Sequence, residues 1–513
     1  MQAEDDVYDL LIIGGGINGA GIACDAAGRG LKVVLCEQDD LGSATSSASS
    51  KLVHGGLRYL EHYEFRLVRE SLRERDVLLG KAPHMVGQRE FVLPHYNTWR
   101  PAWMVRLGLF LYDFLAQSSR LPSTRAVNLT QGSMGAPLKD IIVKGFVYSD
   151  CWVDDSRLVV VNAMAAAEAG ARILTRTRLE HADRKAGLWL ARLKNMRNGE
   201  QTEVRARAIV NAAGPWAEDV LNEKLENTEA VKNRIRLVKG SHLVVPRLYE
   251  EDHAYILLNP DGRVVFVLPF QNTYSLLGTT EVVFDGDPAD ARMAPEEARY
   301  ICDAVNGYFA KPVSPDDAVW SFSGVRPLFD DDADNPSAVT RDYVFDLQER
   351  DGGAPLLNIF GGKLTTYRRL AERALARLKP FFPDMGAAWT ESGPLPGGDM
   401  PSGGPGGDFP RFLSALEKDF PGLDKVWLLG LAHRHGTRAR DILDEIETPD
   451  GLGRDFGGGL FQREADYLIE REWAETADDI LWRRTKCGLA MTEKERNALA
   501  DYVDSATASM RSG

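Results

Sequence analysis

The stretch that decides the fold is Asp9–Glu37, DLLIIGGGINGAGIACDAAGRGLKVVLCE. Its first apolar run leads into three glycines with the spacing G-x-G-x-x-G, which are Gly14, Gly16 and Gly19. A segment compatible with a helix follows, and a second apolar run ends in Glu37. This order predicts a βαβ unit in which a pyrophosphate approaches the backbone at the helix N-terminus and the acid accepts hydrogen bonds from ribose hydroxyls. The motif predicts a dinucleotide site without distinguishing NAD from FAD.

Composition and charge exclude several classes of protein. The chain has 513 residues, enough for two or three domains, and its net charge of −14 argues against a nucleic-acid partner. The five cysteines are scattered and form no C-x-x-C pair, which argues against a disulfide framework or a metal site and for a reducing compartment. No apolar run reaches the roughly 18 residues of a membrane span, and the acidic beginning lacks the apolar region of a signal peptide. We therefore expect a cytoplasmic location.

Three further segments that contain glycine are expected to meet the first one. The hydroxyl-rich loop Gly42–Ser50 runs into a turn at His54–Arg58, Ala213–Trp216 ends another predicted strand, and Gly361–Thr366 follows a third. In open α/β sheets, ligands bind outside the carboxyl ends of the strands. We therefore expect these turns to converge at the carboxyl edge of one parallel sheet.

Cations in these segments indicate an anionic substrate. Arg58 and Lys363 lie in two of the turns, and Arg326 follows a glycine in a third segment that would face them. A guanidinium binds two oxygens of a phosphate at once, which makes arginine the usual choice for that group. His54, beside a Gly-Gly pair, and His242 are the candidate bases.

Several long segments resemble the FAD-dependent, respiratory glycerol-3-phosphate dehydrogenases, and the bacterial aerobic, membrane-associated form most closely. The resemblance covers the chain from about residue 7 to residue 490, in the family's order. One departure is the sequence G-T-T-E at 278–281, where the family commonly has G-T-T-D. The segments that carry the resemblance are GGGINGAG, ATSSASSKLVHGGLRYLEHYEFRLVRE, KGFVYSDCWVDDSRLV, KGSHLVVP, FSGVRPL, FGGKLTTYRRLAE and EADYLIEREWAETADDILWRRTKCGL.

The resemblance implies an α/β fold, α+β overall, with three parts. These are a Rossmann-like FAD-binding domain of the two-domain flavoprotein oxidoreductase type (1–80, 145–220 and 340–390), an inserted antiparallel-sheet substrate domain (81–144 and 221–339) and a C-terminal α-helical domain (409–513), preceded by a linker at 391–408. Within them, the residue pattern predicts Val143–Tyr148 as a strand, followed by a helix over Asp154–Ala169 and a strand at Ala171–Thr175 that return to the first sheet. It also predicts a hairpin at Asn198–Gly199 and a helix over Glu464–Leu481.

The resemblance also implies an extended FAD that is bound without a covalent bond. The pyrophosphate would lie over the first glycine turn, the adenosine ribose on Glu37, and the isoalloxazine near Gly214 and the turn after Gly361. The residues implied to bind FAD are Gly14, Gly16, Ile17, Asn18, Gly19, Glu37, Gln38, Thr45, Ser46, Ser47, Ser49, Gly55, Gly56, Leu57, Arg178, Ala213, Gly214, Gly362, Leu364, Thr365 and Thr366.

The implied reaction is the oxidation of sn-glycerol 3-phosphate to dihydroxyacetone phosphate by hydride transfer to FAD. Electrons would then pass to a quinone, either ubiquinone or menaquinone, at the inner face of the cytoplasmic membrane, where the protein would be bound peripherally; a homodimer is possible. Which group is the base stays open at this point. The implied catalytic residues are His54, Arg326, Lys363 and His242, and the implied substrate-binding residues are Arg58, Tyr59, Arg326 and Lys363.

Other functions fit the same motifs. A soluble glycerol-3-phosphate oxidase would pass electrons to oxygen, and an amine or amino-acid oxidase of the same fold would use an arginine for a carboxylate. A flavin-binding protein without activity would need neither a base nor an anion site. Membrane association is a separate hypothesis, for which the aromatic and basic side chains between Arg100 and Arg125 suit an interfacial helix, although such helices are more often part of a core.

Overall fold

A computed structural model describes residues 7–96, 101–116, 121–226, 228–229, 235–329, 342–349, 353–401 and 408–512. The described chain contains two large sheets, helices packed on both, and a C-terminal part that is mostly helical. The acidic run at 330–334 lies outside the described residues, as do Arg100, Arg120 and residues 402–407 of the predicted linker.

The first sheet is built on the predicted βαβ unit. Its central strands pair in parallel, and the residues Leu10, Leu11 and Ile12 of the innermost strand are fully buried, as expected for a sheet covered on both faces. The predicted hairpin at Asn198–Gly199 is present. The strands lie in the order Val344–Gln348, Leu356–Phe360, Gln201–Asn211, Val7–Ile13, Val33–Cys36 and Arg172–Leu174, with Leu188–Asn195 and Thr177–Lys185 extending from Gln201–Asn211.

Three helices cover one face of this sheet, namely Ile17–Gly28, Asp155–Glu168 and Tyr367–Leu378. The helix Asp155–Glu168 begins where the sequence predicts, because the Asp154 carboxylate accepts a hydrogen bond from the N–H of Arg157 in the first turn. Gly21 allows close packing here, since a Cβ at this position would lie 2.6 Å from the ring of Tyr367.

The second sheet is largely antiparallel, which confirms the inserted antiparallel sheet. The helix Pro295–Asn306 packs against one set of its buried side chains, and the helices Phe65–Lys81 and Ala102–Ala116 pack near another. Its strands lie in the order Val282–Val283, Ile235–Pro246, Tyr274–Gly278, Val264–Phe270, Ala254–Leu258, Val86–Pro94, Lys144–Val153 and Leu52–Val53, with Trp320–Phe329 paired to Ile235–Pro246 and Arg125–Asn128 paired to Lys144–Val153.

One predicted strand belongs to the other sheet. The segment expected at Val143–Tyr148 is a longer strand, Lys144–Val153, and it pairs with Val86–Pro94 in the second sheet. Only the helix that follows it, Asp155–Glu168, leads back to the first sheet, through the strand Arg172–Leu174. The predicted return to the first sheet by this helix and strand is confirmed, whereas the strand before them pairs in the second sheet.

The C-terminal part differs from prediction at one helix. The helix expected over Glu464–Leu481 ends at Glu472, because Trp473 has a left-handed backbone (φ +56°), and a separate wide turn covers Asp479–Arg484. The other described elements are the helices Phe409–Asp419, Lys425–His435, Ala439–Ile442 and Glu493–Ser512 and the short strands Asp455–Gly457 and Leu460–Phe461.

The described half of the predicted linker is packed against the protein. Leu395 is buried, its N–H donates to the carbonyl of Lys81, and a Cβ at Gly398 would lie 1.9 Å from that same carbonyl oxygen. Gly398 therefore allows close packing of this stretch against the protein. Among the helices that the structure describes, none combines the length and the apolar character needed to cross a bilayer.

The buried acid Glu464 gives a prediction about stability. Its carboxylate accepts both arms of the Arg434 guanidinium and a hydrogen bond with His435. Burial alone would raise the pKa of Glu464, but Arg434 and His435 outweigh it and lower the pKa to about 2. Because this carboxyl binds its proton less readily in the folded chain than in the unfolded one, its contribution to stability is present above about pH 4.5 and is lost toward pH 2.

We therefore expect Glu464→Gln to lower the free energy of unfolding by about 3 kcal/mol at neutral pH. The difference in free energy of unfolding between the two proteins, measured with urea, should become smaller as the pH falls from about 5 to about 3.5. A control, Glu417→Gln, changes an acid whose partner Lys425 is exposed and should have an effect below about 1 kcal/mol. A difference between Glu464→Gln and the native protein that stayed constant with pH would contradict the role of this carboxylate.

Candidate active site

A cavity of about 480 Å³ lies where the carboxyl edge of the first sheet meets the second sheet. Its wall contains residues from all four segments that were expected to converge, which are 14–18, 54–57, 212–216 and 361–365. Three of them follow strands of the first sheet. The segment at His54 instead follows Leu52–Val53, a strand of the second sheet, so the cavity is formed between the two sheets rather than by one.

The first glycine turn opens the N-terminus of the helix Ile17–Gly28 to this cavity. A Cβ at Gly19 would lie 1.9 Å from the carbonyl oxygen of Gly14, and Gly14 itself has a φ of +104°, so both positions require glycine. The Ile17 N–H donates to the Ser46 hydroxyl at 3.0 Å, which ties the hydroxyl-rich loop to the helix. Backbone N–H groups at a helix N-terminus favour an anion such as a pyrophosphate.

Glu37 lies beside that turn. One of its carboxylate oxygens accepts from the Gly15 N–H at 2.7 Å and the other from the Asp39 N–H at 2.8 Å. Burial raises the pKa of Glu37 to about 7, although both backbone donors act in the opposite direction. The position of the acid, at the end of the second strand and on the cavity wall, is the one from which ribose hydroxyls are bound in such folds.

Asn18 contributes a side-chain oxygen that is not used within the described part of the chain. Its side-chain amide donates to the Gly361 carbonyl at 3.1 Å, but its Oδ1 is buried and accepts no hydrogen bond from any residue in the described part of the chain. A buried polar atom without a partner is costly, and here it lies on the wall of a cavity. The helix N-terminus, the acid and this amide together fit a dinucleotide.

Cationic side chains occupy the part of the wall nearest the second sheet. Nη1 of Arg326 lies 3.4 Å from the Glu281 carboxylate, and Nη2 lies 3.5 Å from the Thr279 hydroxyl. Nζ of Lys363 lies 3.9 Å from the centre of the Tyr59 ring. His54 lines the same cavity, and its backbone N–H donates to the Thr365 hydroxyl at 3.3 Å. The cavity thus brings these cationic side chains together with the groups that fit a dinucleotide.

The second candidate base, His242, lies behind the wall. It is buried, its ring stacks on Phe322, and Nε2 shares a hydrogen bond of 2.9 Å with the Ser50 hydroxyl, which does line the cavity. Burial, helped by the charges of Arg326 and Lys51, holds the pKa of His242 well below its usual value. A histidine in this setting stays neutral and has no direct access to the cavity.

The structure brings most of the expected site residues to this one cavity. The side chain of Arg58 lies outside the described part of the structure. Five of the expected residues do not line the cavity, namely Gly19, Ser47, Gly55, Thr366 and His242. The expected residues that do line it are Gly14, Gly16, Ile17, Asn18, Glu37, Gln38, Thr45, Ser46, Ser49, His54, Gly56, Leu57, Tyr59, Arg178, Ala213, Gly214, Arg326, Gly362, Lys363, Leu364 and Thr365.

Sequence reasoning missed several side chains of the wall. Thr279, Tyr148 and Arg263 all line the cavity and come from strands or turns of the second sheet. Thr279 and Arg263 each follow a single glycine, Gly278 and Gly262, but nothing in the local pattern marks these glycines as turns at the cavity. The alternation of side chains along a strand identifies such residues, but this requires knowing which face of the strand meets the cavity.

Comparisons with known proteins agree with this geometry. Residues 9–368 match the family model described as FAD dependent oxidoreductase, and residues 388–511 match the model described as C-terminal domain of alpha-glycerophosphate oxidase. The chain is 27% identical to a solved structure of the glycerol-3-phosphate dehydrogenase from Bacillus halodurans complexed with FAD, with a TM-score of 0.73 over 98% of this chain and 94% of that one.

Three curated relatives match over almost their whole length. A D-erythritol 1-phosphate dehydrogenase of Brucella abortus is 52% identical over 98% of this chain and 99% of its own. A glycerol-3-phosphate dehydrogenase of Pseudomonas aeruginosa is 51% identical (98% and 96%), and the aerobic glycerol-3-phosphate dehydrogenase of Escherichia coli is 46% identical (97% and 97%). The chain therefore belongs to the FAD-dependent oxidoreductases, within the group that contains the glycerol-3-phosphate dehydrogenases, and its cofactor is FAD.

Proposed function

We propose that this protein oxidises sn-glycerol 3-phosphate to dihydroxyacetone phosphate and passes the electrons from FAD to a membrane quinone. The observation that carries the proposal is the single cavity in which Arg326, Lys363 and His54 stand beside the dinucleotide-binding turn. Bound FAD supplies the hydride acceptor, and the protein supplies orientation and charge. The glycerol-3-phosphate dehydrogenases among the relatives support the choice of substrate.

Arg326 is assigned to the phosphate. The strand Trp320–Phe329 alternates its side chains, so Gly324 and Arg326 face the cavity while Val325 between them is buried on the other side. Glu281 and Thr279 lie at hydrogen-bonding range of the guanidinium and orient it toward the cavity. Its two parallel N–H groups match two oxygens of a phosphate monoester.

His54 is assigned as the base, in preference to His242. Removing the proton of the C2 hydroxyl requires a group that reaches the substrate and can accept a proton, and His54 lines the cavity whereas His242 does not. The depressed pKa of His242, caused mainly by its burial, also disfavours proton uptake there. Lys363, next to Tyr59, would add positive charge that favours the anionic form of the reduced flavin, where negative charge develops as the C2 alkoxide becomes a carbonyl.

D-Erythritol 1-phosphate is a second candidate substrate. The Brucella abortus relative that carries this name is 52% identical over 98% of this chain. This polyol phosphate has one more hydroxyl-bearing carbon than glycerol 3-phosphate and the same kind of phosphate monoester. Glu281, whose carboxylate faces the cavity, could accept a hydrogen bond from the additional hydroxyl.

Anaerobic reduction of the bound flavin separates these substrates. We expect glycerol 3-phosphate to remove the visible absorbance of oxidised flavin, and to do so at a higher kcat/KM than D-erythritol 1-phosphate. The reverse order would assign the protein to the second candidate. Reduction by glycine or another amino acid, with no response to either polyol phosphate, would overturn the proposal in favour of an amino-acid oxidase.

The role of Arg326 is tested by Arg326→Ala. Loss of two charge-assisted hydrogen bonds should raise the KM for glycerol 3-phosphate by about a hundredfold or more, while the flavin content stays unchanged. The control Arg299→Ala removes an exposed arginine paired only with Glu296 and should leave both quantities as they are. Loss of FAD from Arg326→Ala, or an unchanged KM, would contradict the assignment to phosphate.

The helix Ala102–Ala116 supports a peripheral position on the membrane. Its outer face exposes Trp103, Phe110 and Phe114 by 65%, 62% and 67%, together with Met104 and Leu107, and Arg106 is exposed among them. Contiguous apolar surface of this kind is unusual on a soluble monomer, and apolar rings with a basic residue suit the headgroup region. We place this face at the inner surface of the cytoplasmic membrane, where ubiquinone or menaquinone would take the electrons.

Replacing Trp103, Phe110 and Phe114 by serine tests this position. The triple variant should lose most of its sedimentation with vesicles that contain anionic phospholipid, while its reduction by substrate in solution is unchanged. Val426→Ser, at an exposed apolar residue of the C-terminal part, is the control and should bind vesicles like the native protein. Undiminished vesicle binding by the triple variant would exclude this helix, and stoichiometric hydrogen peroxide with no reduction of ubiquinone analogues would show an oxidase instead.

A further inference from the structure

The turn Asp479–Lys486 of the C-terminal part forms ion pairs with three separate segments at the cofactor cavity. The first of these segments contains Asp40, which lies two residues before the loop 42–50. Both Nη atoms of Arg484 donate to its carboxylate, at 2.6 and 2.8 Å, and Arg483 donates to it as well. Asp40 and Arg484 are fully buried. The backbone carbonyl of Asp40 also accepts a hydrogen bond from the N–H of Ser43, which is a residue of the cavity wall.

The second segment begins at Arg176. Its Nη2 donates to both oxygens of Asp479, at 2.7 and 2.8 Å. The Arg176 N–H donates to the carbonyl of Asp39, and the next residue, Thr177, donates to the carbonyl of Glu37. Thr177 and Arg178 line the cavity. The ion pair with Asp479 thus fixes the strand end that borders the ribose-binding acid.

The third segment is the start of the helix Asp155–Glu168. Lys486 donates to the Asp154 carboxylate and, at 2.6 Å, to the Ser156 hydroxyl, which itself donates to the carbonyl of Arg483. Between them, Asp155 accepts the hydroxyl of Ser49 at 2.7 Å. Ser49 lines the cavity, so the C-terminal turn and the cofactor loop are bound to neighbouring residues of one helix turn.

The Asp155 carboxylate also binds Lys51, whose Nζ lies 2.8 Å from it and 3.0 Å from the carbonyl of Ser47. The hydroxyl-rich loop is therefore held at its beginning through Asp40 and at its end through Ser49 and Lys51. No residue of the turn Asp479–Lys486 lines the cofactor cavity itself. In low dielectric, such buried and hydrogen-bonded pairs keep their geometry, and removal of one partner leaves an unpaired buried charge.

We infer that the turn Asp479–Lys486 sets the affinity of the protein for FAD by holding the loop 42–50 and the strand end at Arg176 in the binding conformation. The C-terminal part is then a positioning element of the cofactor site. Arg484, Lys486 and Ser156 are positioning residues, since they act through the loop and not on the flavin. This inference concerns the cofactor and does not depend on which polyol phosphate is the substrate.

The test is the dissociation constant of FAD for the apoprotein, measured by quenching of FAD fluorescence. Arg484→Met should raise it at least about tenfold, and Arg484→Lys, which keeps the charge, should recover part of the loss. Thermal unfolding of the apoprotein, followed by circular dichroism, shows whether each variant is folded. With saturating FAD, the KM for glycerol 3-phosphate should equal that of the native protein, since the substrate residues are untouched.

Two further variants keep the test decisive. Ser156→Ala removes a single hydroxyl between Lys486 and Arg483, and should raise the FAD dissociation constant about two- to fivefold even if Arg484→Met does not fold. Arg440→Met, which breaks an exposed pair with Asp419 in the same C-terminal part, is the matched control. Folded Arg484 and Ser156 variants with native FAD affinity, or an equal loss in Arg440→Met, would overturn the inference.

Discussion

The structure depends on the parallel pairing of the strands Val7–Ile13, Val33–Cys36 and Gln201–Asn211. Because they pair in parallel, their carboxyl ends lie at one edge, and the turns that follow them must meet there although they are some 200 residues apart in the sequence. The close approach of Gly19 to the Gly14 carbonyl then lets the first helix direct its N-terminus at that edge. The cofactor site follows from these two constraints.

The second sheet turns this edge into an enclosed site for a substrate. The strand Trp320–Phe329 pairs in register with Ile235–Pro246, which fixes Arg326 opposite Val238 and Gly324 opposite Gly240. Gly324 permits contact with the hydroxyl-rich loop, since a Cβ there would lie 2.7 Å from the Cβ of Ala48. The Thr45 hydroxyl completes the junction by donating to the Val325 carbonyl. Arg326 and the hydroxyl-rich loop therefore belong to one wall of the cavity, whose geometry is set by strand pairing.

Local sequence features predicted the parts of the fold that depend on neighbouring residues. The glycine turn, the helix cap at Asp154 and the hairpin at Asn198–Gly199 each follow from a few adjacent side chains. The sheet that contains Lys144–Val153 could not be predicted, because a strand does not encode its partner in its own pattern. The same limit hid the pair of Asp40 and Arg484, since two charges far apart in the chain give no sign that folding buries them together.

For the site, the positions in the glycine-rich turns and Arg326 were found from the sequence, whereas most other positions in or next to strands of the second sheet were not. His54 and Lys363 border such turns, whereas Thr279 and Arg263 lie in or next to strands where nothing local shows which face meets the cavity. The sequence favoured His54 over His242 by its position beside Gly55-Gly56 but left the choice of base open. Burial separates them, because packing against Phe322 closes His242 off from the cavity.

The central claim is that a hydride leaves C2 of a polyol phosphate at this cavity for FAD. Its most direct test is the rate of anaerobic flavin reduction in a single turnover, with glycerol 3-phosphate carrying deuterium either at C2 or at C1. We predict that deuterium at C2 slows the reduction several-fold and that deuterium at C1 leaves it nearly unchanged. Equal rates for the unlabelled substrate and for the substrates with deuterium at C2 and at C1, or slowing by deuterium at C1 alone, would contradict the assignment of the reacting carbon. Either result would also contradict the proposed reaction.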